Sequence, residues 1–240
     1  MPTARHAPAE AELLTLWERG RVCHPIDRSL LLCAWTRPDL PAGEIADLPL
    51  GAVNNALLRL REACFGDRIV TYADCERCGQ RLEVALDAGQ LMASVGEAEA
   101  PREFSLRGFR FRVPASRDLA AIAGDRDPDA AALTLLERCC LERPQASTAE
   151  LTELLTEVEE RLEELDPAAD LNLDVTCESC GHRWMPSLDL GALLWDEIDA
   201  YVRRLFAEVH HLAKAYGWTE PEILALSPGR RATYLEMVGA

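Results

Sequence analysis

Apolar residues recur at three- and four-residue steps over most of this chain and at two-residue steps in a few short stretches, so it reads as helices broken by hairpins. Leu13, Leu14 and Trp17 predict a short helix over Glu10–Arg19 that Gly20 stops. Pro25 opens a second helix, with Asp27 as its expected N-cap and Leu30, Leu31 and Ala34 turned inward. Val53, Leu57, Leu60 and Cys64 place a third from about Leu50 to Phe65, ended by Gly66, with Arg59, Arg61 and Glu62 on its exposed side. Alternation over Arg68–Tyr72 and Arg81–Leu86 predicts a pair of strands. Phe104–Val113 alternates as well, around the turn pair Arg107-Gly108, and is expected to extend the same sheet. Ser116 is the expected cap of a short helix to Ala123, and residues 128–142 form another, with Leu136 and Cys139 or Cys140 inward.

The stripe Leu151, Leu154, Leu155, Val158, Leu162 and Leu165 predicts one amphipathic helix over Thr148–Leu165, opened by a capping box of Ser147 and Glu150. Leu171–Val175 returns as a strand. The longest helix follows Gly191 and runs to about Tyr216, with Leu194, Ile198, Tyr201, Leu205, Val209 and Leu212 in one stripe. Gly217 breaks it, Thr219 and Glu222 form a capping box, and a last helix follows Ser227-Pro228. The end of the chain is therefore a compact helical hook.

Between the strand pairs lie two short cysteine motifs, Cys75-Glu-Arg-Cys78-Gly and Cys177-Glu-Ser-Cys180-Gly. An offset of 102 residues superposes them and carries Arg81, Leu86, Asp87, Gly89 and Leu91 onto Arg183, Leu188, Asp189, Gly191 and Leu193. Such a match predicts one unit used twice, strand–turn–strand–helix, related by a pseudo-two-fold. Two C-x-x-C-G turns supply four thiolates, the closed tetrahedral shell of a structural zinc site, and the glycine after each second cysteine allows positive φ. The plainer alternative is two unrelated turns, free or disulfide-bonded. His182 stands next to the second turn, where it could replace a ligand or lie exposed. The other cysteines, Cys23, Cys33, Cys64, Cys139 and Cys140, sit in apolar helical context and read as small core residues.

Composition narrows the function. With 240 residues, 48% of them hydrophobic, the chain has ample material for a core, but its net charge of −16 argues against tracking a phosphate backbone. No apolar run resembles a signal peptide or a membrane span, and an odd count of nine cysteines suits a reducing cytoplasm with metal-bound thiolates. Residues 148–170 hold nine acidic side chains against one basic, Arg161: a solvated face, or a docking surface for a basic partner.

The string from His210 to Leu235, with Tyr216-Gly-Trp-Thr-Glu-Pro and Ser227-Pro-Gly-Arg-Arg within it, resembles the closing signature of phage-type baseplate proteins of contractile tails and contractile injection systems. Leu48-Pro-Leu-Gly, Leu57-Leu-Arg-Leu-Arg-Glu, Phe65-Gly, Asp166-Pro-Ala-Ala-Asp and Leu194-Trp-Asp-Glu-Ile are similar to that family too, so the likeness covers most of the chain except roughly 93–147. Similar strings occur in tail assembly chaperones. The resemblance implies a part in building or completing a baseplate, in the bacterial cytoplasm or within the assembled particle, and brings no catalytic residues. Trp218, Arg230, Arg231 and Tyr234 are of the types that anchor protein interfaces and are the expected partner-binding residues, although Tyr216 and Trp218 also fit a hook packing its own core.

No HExxH, P-loop, GxGxxG before a helix or GxSxG elbow is present. A thiol–disulfide oxidoreductase also uses CxxC, but its attacking cysteine opens a helix, and both motifs here are flanked by strand-like sequence. The expected fold is α+β and mainly helical: helices over 1–66, a four-cysteine zinc ribbon of hairpins 68–87 and 171–190 with a hairpin and helical insertion between them, and a long helix with its hook over 191–240. The expected function is that of a non-enzymatic, Zn2+-binding structural or assembly protein whose partners are other baseplate or tail proteins, with no nucleic acid, membrane or small-molecule substrate. An assembly chaperone absent from the mature particle is the alternative and the oxidoreductase a third.

Overall fold

The computed structural model describes residues 8–95, 103–142 and 148–239, so the Ser147–Glu150 capping box lies outside what it describes. The first helices are α1 (Glu10–Gly20), α2 (Pro25–Thr36), α3 (Ala42–Ile45) and α4 (Leu50–Phe65). Then come the hairpin β1 (Arg68–Asp74)–β2 (Arg81–Asp87) and the helix α5 (Ala88–Val95). The middle of the chain holds β3 (Glu103–Leu106), β4 (Phe109–Arg112), α6 (Ser116–Ile122), α7 (Pro128–Cys139), β5 (Cys140–Glu142), α8 (Thr148–Glu153) and α9 (Leu155–Leu165). A second hairpin, β6 (Val175–Thr176)–β7 (Arg183–Trp184), leads to α10 (Leu190–Tyr216), α11 (Glu220–Leu224) and α12 (Pro228–Gly239). Among the described residues the fold is thus mixed and mainly helical, with three small antiparallel sheets.

The principal core is helical and draws on both ends of the chain. Leu13 and Leu16 of α1, Leu32 and Cys33 of α2, and Val53, Leu57 and Leu60 of α4 close around Leu194, Ile198, Val202 and Leu205 of α10. Buried ion pairs brace it. Arg61, expected on the exposed side of α4, is only 4% exposed: it forks onto Glu197 of α10 at 2.7 and 3.0 Å and donates to the Gly66 carbonyl at 2.7 Å. A second core, Phe104, Phe109, Phe111, Leu136, Leu151, Leu154 and Val158, gathers the middle segment.

Several local expectations are corrected. Asp27 does not cap α2: Pro25 occupies N1, where its missing N–H costs nothing, so His24 is the cap and accepts from the Ile26 N–H. Ser116 is likewise N1 of α6; Ala115 precedes it and donates its N–H to Asp118 at 3.0 Å. The Phe104–Val113 hairpin does not extend the first sheet. Its turn is as expected, with φ of 46° at Arg107 and 86° at Gly108, but β4 pairs with β5 to make a separate three-stranded sheet. That pairing takes residues 140–142 out of the expected helix, so α7 stops at Cys139, which is buried, and Cys140 is half-buried. The helix expected over 148–165 is two, divided at Leu154, which puts Leu151, Leu154 and Val158 together on the phenylalanine core.

Strings far apart in sequence meet. Asp166 is buried and accepts the Gly51 N–H at 3.0 Å, capping α4 from a distance of 115 residues, since Pro49 offers no cap of its own. Asn54 donates to the Ala168 carbonyl at 2.8 Å alongside. A Cβ on Gly51 would stand 2.0 Å from Asp166 Oδ1, so only glycine admits this approach.

Candidate metal centre

The first hairpin pairs without interruption from Arg68↔Asp87 to Asp74↔Arg81. The second is assigned only two pairs, Val175↔Trp184 and Thr176↔Arg183, yet these are the equivalents of Ala73↔Leu82 and Asp74↔Arg81 at the 102-residue offset. The register continues beyond them. Leu173 donates to the Pro186 carbonyl at 2.9 Å, Asn172 bridges Ser187, and Leu188 donates to the Leu171 carbonyl at 2.6 Å. Each matches a pair of the first hairpin. Pro186 stands where the first copy has Val84, and its lack of an N–H removes one ladder bond and shortens the strand.

The turns themselves coincide. Cys75 donates to the Gln80 carbonyl at 2.9 Å and Gly79 to the Cys75 carbonyl at 2.8 Å; Cys177 to His182 and Gly181 to Cys177 repeat both bonds at 2.8 Å. Gly79 and Gly181 have φ of 71° and 68°, the left-handed conformation expected after each second cysteine. Both copies then enter a helix through an aspartate: Asp87 accepts the Gln90 N–H at 2.7 Å and Asp189 the Ala192 N–H at 2.9 Å.

These two turns face each other. The sulfurs of Cys75, Cys78, Cys177 and Cys180 all lie within 4.8 Å of one another, in an arrangement that could hold a metal ion. The closest approaches run between hairpins: Cys75 Sγ to Cys180 Sγ is 3.7 Å and Cys78 Sγ to Cys177 Sγ is 3.6 Å. Cys75 and Cys177 are buried, Cys180 half-buried and Cys78 exposed. Val175 and Trp184, backed by Ala73, Leu82 and Val84, form an apolar wall behind the sulfurs. Beneath it Ile69, Leu171 and Leu188 seat both hairpins on Leu58 of α4 and Leu190 of α10.

Four thiols this close share their ionisation. Burial opposes the Cys177 thiolate, but the N–H groups of Cys180 and Ser179, with the sulfurs of Cys78 and Cys180, bring its pKa down to about 7. The Gln80 N–H favours the Cys78 thiolate, yet contact with the other three sulfurs, together with desolvation, pushes it up to about 12. A cation among them relieves that repulsion, which is what a soft all-sulfur donor set is suited to hold. His182 is not in the cluster: its ring stacks on Trp184 at 5.8 Å.

The expected partner residues divide. Arg231 is 2% exposed and inside the fold: it donates to Glu10 at 2.7 Å, to Glu208 at 3.0 Å and to the Leu226 carbonyl at 2.9 Å, so it ties α12 to α1 and α10. That corrects its expected place at a partner surface. Arg230 is exposed, and Trp218 and Tyr234 are half-buried in one aromatic cluster with Tyr216, Trp218 stacked on Tyr216 and Tyr234 edge-on to both, with centroids 4.6 to 5.7 Å apart. Sequence reasoning missed the buried Asp118, held by the more exposed Arg112 and Arg138 at 2.6 and 3.1 Å, whose sequence signal was arginines lying among apolar residues. Among the described residues no helix is long and apolar enough to cross a membrane. Comparison with known protein families, with curated proteins and with solved structures finds no match to this chain.

Proposed function

We propose that the chain is a non-enzymatic, zinc-stapled structural or assembly protein of a contractile, phage-tail-like baseplate. The observation that carries the zinc half is the convergence of four sulfurs from opposite halves of the chain. Zinc–sulfur bonds of about 2.3 Å put tetrahedral sulfurs about 3.8 Å apart, close to the 3.6 and 3.7 Å between the hairpins. Cys75, Cys78, Cys177 and Cys180 would hold the ion with no position left for substrate or water, so its contribution is to folding. Neither CxxC opens a helix, the setting that activates a redox dithiol.

The baseplate half rests on the resemblance of the strings around Leu48–Gly51, Leu57–Glu62, Asp166–Asp170, Leu194–Ile198 and His210–Leu235. It is supported by the use these strings have here: they supply the Gly51–Asp166 approach, the Arg61–Glu197 fork and the Arg231 anchor. An acidic chain with an aromatic hook suits a protein that works by contact. Elemental mass spectrometry of the purified protein should give one zinc per chain; iron or no metal overturns the zinc assignment. Fixed stoichiometry in purified tail-like particles supports a component, presence only in the producing lysate supports the chaperone alternative, and absence of any association with tail proteins overturns both.

A further inference from the structure

A cleft of about 360 Å³ opens away from the metal centre, where the base of the second hairpin meets the first turns of α2, α4, α6 and α10. Its size falls within the roughly 300–1,000 Å³ of ordinary ligand sites. Val53, Leu119, Leu171, Leu188, Leu190 and Trp195 make an apolar floor. Three exposed aspartates, Asp170, Asp189 and Asp196, stand around it.

The sign of the ligand follows from what offsets these carboxylates. Asp170 accepts from Ser187 and Asn172, and Asp189 caps α10, but among the described residues none of the three is paired with an arginine or lysine. The cation in the lining, Arg28, lies over the Trp195 ring at 4.7 Å and donates to the Gly20 carbonyl at 2.9 Å. Helix N-termini bring about half a positive charge each, and those of α4 and α10 already carry Asp166 and Asp189. With Arg28 and all four helix ends counted, the carboxylates of Asp166, Asp170, Asp189 and Asp196 still leave the cleft about one charge negative, on a chain of net charge −16. Spacing sets the ligand's length. Asp189 and Asp196 are seven residues apart along α10, about 10 Å, too far for one ammonium group to serve both.

We infer that this cleft receives a basic amphipathic segment of a partner protein, with apolar side chains on the floor and at least two arginine or lysine side chains reaching the aspartates. The inference does not depend on the baseplate reading. The base of the hairpin that carries Cys177 and Cys180 forms one wall, so the metal centre and the cleft share a support.

Display selection of random peptides on the full-length, metal-loaded protein tests it. The enriched peptides should carry two or more arginines or lysines around leucine, isoleucine, valine or phenylalanine. Ala192→Trp, at an exposed lining position, plugs the cleft and should weaken these peptides at least tenfold, with Asp196→Asn weakening them about fivefold. Glu163→Gln on α9, outside the cleft lining, should change nothing, and unchanged melting temperatures show that the variants fold. Acidic or uncharged winners, winners that bind the Ala192→Trp protein equally well, a loss as large with Glu163→Gln, or no enrichment would each overturn the proposal.

Discussion

Single residues carry much of this fold through charges that ordinarily stay in water. Asp118 is fully buried, and against the desolvation that raises its pKa, hydrogen bonds from Arg112 and the Ala115 N–H, with Arg138, hold the carboxyl below the usual carboxylate range. A folded-state pKa below the unfolded value of about 3.9 means stability that is complete above that pH and lost as pH falls through the folded value. Asp118→Asn should therefore lower the melting temperature at pH 7 and flatten its fall below about pH 4, measured by circular dichroism across pH. Arg231→Ala should cost about 2 kcal/mol in urea unfolding, less than the 3–5 of a fully buried pair because Glu10 and Glu208 reach water. Glu208→Gln should cost less, since Glu208 is the more exposed of the two acids. The four cysteines and the glycines beside them were legible because their chemistry is tied to local spacing. Arg61 and Arg231 were not: helix periodicity shows which side chains are charged, not whether an acid 136 or 221 residues away will meet them.

At the level of elements, the helices were read most closely where their ends carry their own signals. The bounds of α4 and the capping box of α11 agree with the expectation because Gly66 and the Thr219–Glu222 pair are local devices. Departures occur where a long-range partner decides. Residues 140–142 leave α7 to pair with β4, and α4 takes its cap from Asp166. The second hairpin shows a local defect overridden by packing: Pro186 deletes a ladder bond, yet the register holds down to Leu171↔Leu188 because the turn and the shared apolar seat fix both ends. Restoring the first copy's residue, Pro186→Val, should add the missing bond to the Leu173 carbonyl and stabilise the protein by about 0.5–1 kcal/mol. The amide created at position 186 should then exchange slowly, as a hydrogen-bonded one does.

For the whole molecule, the sulfur cluster brings together residues 99 to 105 positions apart, which the proposed zinc would fasten. A clip on so long a loop removes much of the freedom of the unfolded chain, and a structural zinc site contributes of order 10 kcal/mol. Chelation with a strong zinc ligand, or Cys177→Ser, should lower the melting temperature by more than 10 °C and release the two hairpins from each other. Substituting Cys23, half-buried and remote from the cluster, with serine should change it little. The same long interval has a consequence in time. At about 5–20 residues per second, a ribosome that has delivered Cys78 needs roughly five to twenty seconds more to deliver Cys180. On the proposed zinc reading, the nascent chain would throughout that interval offer two thiols to an ion that takes four, and newborn copies would be the ones exposed to oxidants and to competition for the metal.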